Sequence, residues 1–451
     1  MTSDAFVAWA RDHAIRIAAL EPGHGFADLQ PIHALISGAR IVALGEAAHG
    51  THEFLAFRNR LLEFLVHDAG VTALAVETGY AESLDVNDYI NGEDVDVMVA
   101  AQHVFDDWYP APLEENRALV EWMRAYNSMA APGRELHFYG IDLTGGWGYD
   151  NARRAVDGAL GFIERVDREA AAGLRARLHP LLVKFTAQGY GSLAPAQQAQ
   201  LTDAIADVIN TLETRRSDFI DALTEAGFER AVRMAVNARQ IDAYFARAPK
   251  ASSDRVADFR ERSMARDAAM AQNLQAVLQR ERSRGRIFLF AHNWHVKKRA
   301  SIEEAFPEQF PGEPGTTMGQ YLESTLDDRL VVLGSTFHRA ADGTVTGPPV
   351  GNTRLTLEPA DPSALDAELA QVGSPVFIVD LRAARQSAPA VAALDRPRRM
   401  RFNERYAEEN PMQAFDALLY IDTVSDWRPI VPAAPPDEQG IESAPQGGDN
   451  G

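Results

Sequence analysis

The sequence predicts an α/β protein in which a mostly parallel central sheet is flanked by helices and carries a large inserted all-helical subdomain. Seven short runs are rich in Val, Ile, Leu and Phe, and most of them are continuously apolar rather than alternating. Such runs are typical of strands buried on both faces of a parallel sheet. Helical patterns separate the early runs, as a strand–helix–strand arrangement requires. A long central stretch shows only helical periodicity, so we expect it to be inserted between two strands.

The predicted elements follow one another along the chain. Strands are expected at 40–45, 71–76, 136–141, 287–291, 330–334, 375–379 and 417–421. Helices are expected between the early strands at 54–68 and 114–126, and in the central stretch at 152–167, 195–214, 228–245 and 258–279.

Three segments and a tail describe the predicted domain organisation. Residues 1–150 form the first part of the α/β core, 151–283 the helical insertion and 284–431 the second part of the core. Because the insertion follows the carboxyl end of a strand, we expect it to cap a cleft there, with a space-filling role as the alternative. Residues 432–451 are rich in Pro, Gly and acidic residues, and this composition predicts a disordered tail.

Composition excludes several classes of function. The chain has 451 residues, a net charge of −20 and no cysteine. Disulfides, thiolate metal ligands and a cysteine nucleophile are therefore excluded. Nucleic acid is bound through clustered Lys and Arg, so no nucleic-acid partner is expected. No apolar run approaches the ~18 residues of a membrane span, and no secretory signal begins the sequence. We expect a cytoplasmic protein without a membrane partner.

Acidic residues and histidines follow the carboxyl ends of five predicted strands. In open α/β sheets, ligands bind in the crevice beyond these ends. A neutral imidazole can take a proton from water near neutral pH, and a carboxylate can orient the ring and stabilise its charged form. The sequence therefore predicts one shared site, built from Glu46 and His49, Glu77, Asp142, His292 and His295, and Asp380.

Other chemistries lack their motifs. The chain has no Gly-x-Ser-x-Gly elbow, no Gly-x-x-x-x-Gly-Lys-Ser/Thr loop and no Gly-x-Gly-x-x-Gly fingerprint. A conventional serine esterase and a nucleotide-binding protein are therefore not supported. His52 and Glu53 begin the zinc-binding His-Glu-x-x-His pattern, but its second histidine is missing. The strand-end histidines and glutamates still keep a metal site open as an alternative.

Blocks of sequence around these residues resemble the erythromycin esterase family. The resemblance covers most of the chain, and the order and spacing of the blocks are specific for the family. The blocks are 44–54, 75–77, 116–127, 138–142, 266–273, 291–296, 318–322 and 415–422. The resemblance implies an α/β sheet with a helical portion. It also implies a hydrolase that opens a macrolide lactone, generally with no metal or other cofactor.

Roles for individual residues also come from the resemblance. His49 matches the family's catalytic general base, with Glu46 and Glu77 as its carboxylates. Spacing does not distinguish Arg58 from Arg60, but Arg58 matches the functional arginine of the family. The second histidine pair is His292 and His295, and the residues expected to contact substrate are Asp142, His52 and Trp294.

These expectations combine into a mechanism with two alternatives. Water is activated between His49 and a carboxylate, while Arg58 or the 292/295 histidine pair faces the oxyanion formed from the ester. The partner is then a small-molecule ester, with a macrolide first, and the sequence predicts no oligomeric state. One alternative is a metal-dependent hydrolase at the same site. The other is a natural-product-pathway enzyme or binding protein that does not hydrolyse macrolides, since the family includes members of unknown substrate.

Overall fold

The computed structural model describes residues 2–105, 111–145, 151–247, 255–299, 315–347 and 353–430. Its strands, numbered in chain order, are β1 (Ile15–Arg16), β2 (Ile41–Glu46), β3 (Val71–Gly79), β4 (His137–Asp142), β5 (Arg286–His292), β6 (Leu330–Ala340), β7 (Thr344–Gly347), β8 (Thr353–Thr356), β9 (Val376–Asp380), β10 (Arg398–Phe402), β11 (Arg405–Glu409) and β12 (Ala417–Val424). Eight of them form one sheet in the order β1-β9-β12-β6-β2-β5-β3-β4, and β7–β8 and β10–β11 are separate hairpins.

The central sheet is mostly parallel, as predicted. Strands β12, β6, β2, β5, β3 and β4 pair in parallel. All seven predicted strands are present in the sheet; β6 extends six residues beyond its predicted end, and the other ends differ by at most three residues. The sequence did not predict β1, which has two residues, or the two hairpins, whose strands are short and largely polar.

Strand β9 corrects one prediction. It runs antiparallel to β12, so that Asp380 at its end lies opposite Ala417, the first residue of β12. Asp380 is therefore at the opposite edge of the sheet from the other strand-end residues. Its carboxylate accepts hydrogen bonds from the backbone N–H groups of Arg382 (2.9 Å) and Ala383 (3.1 Å), and it caps a short helix. The prediction that Asp380 joins the shared site was wrong, because a buried run of apolar residues does not reveal its direction in the sheet.

Helices cover both faces of the sheet. They are α1 (Thr2–His13), α2 (Ile32–Leu35), α3 (His52–Asp68), α4 (Tyr80–Ile90), α5 (Val97–His103), α6 (Glu114–Met129), α7 (Arg153–Val166), α8 (Arg168–Leu182), α9 (Pro195–Thr214), α10 (Arg216–Ala222), α11 (Glu225–Phe245), α12 (Arg255–Arg280), α13 (Asn293–Val296), α14 (Met318–Leu326), α15 (Leu365–Ala370), α16 (Leu381–Ala384), α17 (Ala388–Leu394) and α18 (Pro411–Ala414). Helices α3 and α6 share an apolar core with Phe290 of β5, and α12 and α14 share another with its neighbour Leu289. Because both faces are covered, every residue of β2 is buried.

The central helical stretch is confirmed as helical. Residues 151–247 and 255–280 form helices α7 to α12, and no strand lies in these described ranges. Helices α7 to α11 pack around an apolar core that also includes Ala81 of α4 and Ala269 of α12. Helix α12 returns to the sheet, where Met270 and Leu274 join its apolar core. The domain boundaries and the capping role stay predictions, and the predicted tail lies outside the described residues. Among the described helices, none has the length and apolarity to cross a membrane.

Candidate active site

His49 and Glu46 form a close pair at the end of β2. The turn between β2 and α3 includes Gly50 at φ 71°, a conformation that favours glycine. His49 Nδ1 lies 2.5 Å from Glu46 Oε1. The His49 side chain is 15% exposed, so solvent reaches the pair even though Glu46 is buried. Glu46 Oε2 is buried and has no hydrogen-bond partner among the described residues.

His292 lies beside this pair at the end of the neighbouring strand. It is opposite Glu46 in the register of β2 and β5, and its ring centroid is 4.8 Å from that of His49. His292 Nδ1 accepts a hydrogen bond from the backbone N–H of Trp294 at 3.2 Å, which puts the proton of the neutral ring on Nε2. Nε2 is buried and makes no hydrogen bond within the described part of the chain, although the Ala47 carbonyl is near.

Burial determines the charge state of His292. Desolvation, together with the neighbouring His49 charge, holds the pKa of His292 well below its ordinary value. The ring is therefore neutral at neutral pH and offers an N–H donor without carrying a charge.

Glu77, Asp142 and Arg266 form a buried ion network beside the histidines. Arg266, on α12, donates from Nη2 to Glu77 Oε1 at 2.7 Å. It also donates from Nε to both carboxylate oxygens of Asp142, at 3.1 and 3.0 Å. Glu77 Oε2 accepts the backbone N–H of His292 at 2.8 Å. A single guanidinium from the helical insertion therefore joins the ends of β3 and β4.

His295 extends this network on α13. Its Nδ1 lies 2.9 Å from Asp267 Oδ1, and its Nε2 lies 3.2 Å from Glu77 Oε1. Burial alone would lower the pKa of His295, but the charges of Glu77 and Asp267 raise it to about 9. The ring is then a cation at neutral pH. Arg266 Nη1 lies 3.2 Å from His295 Nε2, but both nitrogens are donors when His295 is charged, so they share no hydrogen bond. Glu77 Oε1 is the common acceptor of the two side chains.

Glu77 and Glu46 differ in the charged groups that contact them. Burial would raise the pKa of Glu77, but His295, Arg266 and His49 hold it well below its ordinary value. Glu77 is therefore ionised and largely occupied by cations. Glu46 instead pairs with His49 alone among the described side chains that hydrogen-bond to it.

Arg58 lies beneath the site rather than in its opening. It is fully buried, and its Nη2 donates to Asn116 Oδ1 at 2.9 Å. Its guanidinium carbon lies 5.4 and 5.2 Å from the ring centroids of Phe105 and Phe290. Burial lowers the pKa of Arg58 to about 10, and Glu46 is the first charge that opposes this shift. Arg58 is therefore placed to balance the charge of Glu46 from below.

Arg60 is held elsewhere. It pairs with Asp28 at 2.6 Å and donates to the carbonyl of Gly25, also at 2.6 Å. These contacts fix the segment before β2. The structure therefore distinguishes the surroundings of Arg58 from those of Arg60, a distinction that their spacing in the sequence does not give.

His52 and Trp294 have different surroundings. The ring nitrogens of His52 lie 2.5 Å from Glu115 and 2.6 Å from Glu21, so both are held by carboxylates outside the group around His49. Trp294 lies next to His292, with its ring 5.7 Å from that of Phe402. Substrate contact remains a prediction for both, and the position of Trp294 favours it more than that of His52.

Four residues near the site carry no role in the sequence-based prediction. Arg266 and Asp267 lie on α12, and Phe402 and Asn403 lie at the turn of the β10–β11 hairpin. The block 266–273 belongs to the family resemblance, which is a signal for the first two. No sequence feature marks the other two, because they reach the site only through the tertiary fold.

The described residues contain no group of three His, Asp or Glu side chains arranged to hold a metal ion. His292 Nδ1 and both nitrogens of His295 already have protein partners. A metal at this site would therefore have to displace existing contacts.

This arrangement is typical of an α/β enzyme that performs acid–base chemistry beyond the carboxyl ends of its strands. The chain belongs to the erythromycin esterase family, whose model, described as Erythromycin esterase, matches residues 66–424. Membership supports a hydrolase acting on a small molecule at the level of the family. The match begins after Glu46, His49 and Arg58, so the roles of these three residues are proposals supported by geometry.

Individual relatives agree with the family match. The chain is 26% identical to the Erythromycin esterase type II of Escherichia coli over 438 residues, which cover 93% of this chain and 98% of that protein. It is 22% identical to the Putative hydrolase YbfO of Bacillus subtilis (strain 168) over 376 residues, covering 79% and 80%.

Solved structures show the same fold. A succinoglycan biosynthesis protein superposes with a TM-score of 0.76 at 20% identity, covering 94% of this chain and 98% of that one. A mutant of the erythromycin esterase EreC in its open conformation superposes with a TM-score of 0.67 at 20% identity, covering 90% and 96%. At these identities the likeness concerns the fold alone.

Proposed function

We propose that this protein hydrolyses an ester bond of a small molecule, with the lactone of a macrolide as the preferred substrate and His49 as the general base. The proposal depends mainly on one observation, the 2.5 Å contact between His49 Nδ1 and Glu46 Oε1 beside the neutral ring of His292. The erythromycin esterases among its relatives suggest the substrate class.

The paired histidine and carboxylate deprotonate water in this mechanism. With Nδ1 of His49 held by Glu46, Nε2 takes a proton from water as the water oxygen attacks the ester carbonyl carbon. The single bond between the carbonyl carbon and the alkoxy oxygen of the ester then breaks, and His49 returns the proton to the departing alkoxide. The products are a carboxylic acid and an alcohol, and one water is consumed. General base catalysis of this kind contributes typically ~10²–10⁴-fold.

His292 is the member of the histidine pair that faces the oxyanion in this proposal. It is neutral and its Nε2–H is not paired with a carboxylate, whereas His295 is charged and has a carboxylate at each nitrogen. One such donor is worth roughly 3 kcal/mol in the transition state. Arg58 acts from below by placing its positive charge near Glu46, and the network around Arg266 holds the strand ends in place.

Replacing Glu46 with Gln is expected to move the acid limb of the kcat/KM profile to lower pH. Burial alone would lower the pKa of His49, but Glu46 and, less strongly, Glu77 raise it. Since the base is the deprotonated ring, kcat/KM rises as the pH passes upward through this pKa. Replacing the Glu46 carboxylate lowers the pKa of His49, so the acid limb moves to lower pH. The plateau value of kcat/KM also falls. Profiles measured over about pH 5 to 9 test this. The exposed Glu121→Gln variant is the control, and an unmoved limb in Glu46→Gln contradicts the pairing.

Incubation with erythromycin tests the proposed reaction. We expect mass spectrometry to show a product heavier by one water with the wild-type protein and none with His49→Asn.

Retained activity after chelation supports the metal-independent mechanism, and lost activity that zinc restores supports the metal-dependent alternative. Binding of the macrolide without a mass change overturns hydrolysis of this substrate and favours a binding protein. A simple aryl ester run in parallel separates general esterase activity from a macrolide preference.

A further inference from the structure

We propose that the turn of the β10–β11 hairpin, Phe402–Asn403, is a positioning element of the active site, in which Asn403 fixes the backbone that carries His49. The inference rests on the proposed role of His49. It concerns residues about 350 positions away in the sequence, which contact the β2–α3 turn only in the folded chain.

Asn403 makes two hydrogen bonds to the β2–α3 turn. Its backbone N–H donates to the Ala47 carbonyl at 2.8 Å, and its Oδ1 accepts the backbone N–H of His49 at 3.3 Å. These bonds lie on either side of Ala48, so they fix the direction in which the chain leaves Glu46. The 2.5 Å contact between His49 and Glu46 depends on that direction.

The backbone conformation of Asn403 makes both hydrogen bonds to the β2–α3 turn possible. Phe402 pairs with Arg405 in the hairpin, which leaves a two-residue loop at 403 and 404. Asn403 has φ 52°, and among the described non-glycine residues only Asp327 shares a positive φ. Asparagine tolerates the left-handed region better than most residues and also supplies the side-chain acceptor. Glycine would satisfy the backbone but not the hydrogen bond to His49.

Several contacts hold the hairpin firmly against the rest of the protein. Arg401 donates to the Glu358 carbonyl at 2.8 Å, and its guanidinium carbon lies 5.8 Å from the ring centroid of Phe337 on β6. Lys297 pairs with Glu409 at 2.9 Å at the far end of β11. The turn is therefore presented to the site by a fixed element, which is what a positioning role requires.

Phe402 brings the same turn against the second histidine. Its ring packs edge-on to that of His292, with centroids 5.0 Å apart, and also contacts the ring of Trp294. Asn403 meanwhile donates to the Ala47 carbonyl, which also interacts with the His292 ring. The turn thus orients the proposed base on one side and the proposed oxyanion donor on the other.

Three variants test the inference. Asn403→Gly keeps the backbone conformation and removes the side-chain acceptor for the His49 N–H. We expect kcat to fall by up to about 10²-fold, the cost typical of misplacing a catalytic group by about 1 Å, while KM changes little. Asn403→Asp keeps an acceptor and a tolerated conformation, so it should retain most of kcat. Its added negative charge should move the acid limb of the profile to higher pH. Asp327→Gly is the matched control, because it makes the same kind of backbone change at an exposed position near the opposite edge of the sheet.

Hydrogen exchange gives a readout that needs no substrate. The amide of His49 should exchange faster in Asn403→Gly than in the wild type and Asp327→Gly, at conditions where all three melt cooperatively. Wild-type kcat together with unchanged exchange at His49 in Asn403→Gly overturns the inference. If instead the wild type hydrolyses no ester, the proposed function fails, while the exchange measurement still decides whether Asn403 fixes this turn.

Discussion

Replacing His49 with Asn is expected to lower kcat by about 10²–10⁴-fold, the contribution typical of a general base. An amide has no basic nitrogen, so it cannot take the proton from water. It can still donate to Glu46, which preserves the local hydrogen bond. Because the side chain is 15% exposed in a turn and not part of the apolar core, we expect the free energy of unfolding to change by only about 1 kcal/mol.

Steady-state kinetics together with urea unfolding measure this difference between activity and stability. His67→Asn is the control: His67 lies on α3, the helix that follows the His49 turn, but its side chain is exposed. This control should keep the wild-type rate. Near-normal turnover in His49→Asn would remove the proposed base, and a large loss of stability would leave the low rate without a chemical interpretation. In the second case, the pH shift expected for Glu46→Gln decides the role of His49 independently.

The fold was predictable to the extent that burial leaves a trace in the sequence. Strands covered on both faces are apolar throughout, and this pattern located all seven predicted strands of the sheet. It carries no information on direction, which is why Asp380 was placed at the wrong edge. The hairpin strand Arg398–Phe402 was invisible for the opposite reason, since Arg398 and Arg401 are buried through hydrogen bonds and ring contacts instead of through apolar side chains.

The site was predictable where the geometry of the sheet is general. Parallel strands end at a common edge, so Glu46, Glu77, Asp142 and His292 come together without any need to know the helices. The residues that organise them are a different matter. Arg266 lies in the middle of a polar helix and resembles any solvated arginine, and its partner Glu77 is 189 positions away. Such contacts depend on how the insertion packs, which local periodicity does not reveal.

Replacing Arg266 with Met is expected to destabilise the protein by about 3–5 kcal/mol, the cost typical of removing one partner from a buried ion pair. The side chains of Glu77 and Asp142 are only 4% and 2% exposed, so water cannot replace the guanidinium. Glu77 keeps His295 as a cationic partner, whereas Asp142 loses its only side-chain cation among the described contacts. Most of the loss should therefore arise at Asp142.

Two comparisons isolate that cause in urea unfolding. Arg153→Met removes a helical ion pair with Asp157 in which both side chains are nearly half exposed, and it should cost well under ~1 kcal/mol. Adding Asp142→Asn to Arg266→Met removes the stranded charge, so the double variant should be more stable than Arg266→Met alone. If Arg266→Met costs no more than Arg153→Met, the network does not join the strand ends as described. If the double variant recovers nothing, the loss comes from packing of the arginine stem on α12 rather than from an uncompensated carboxylate at the end of β4.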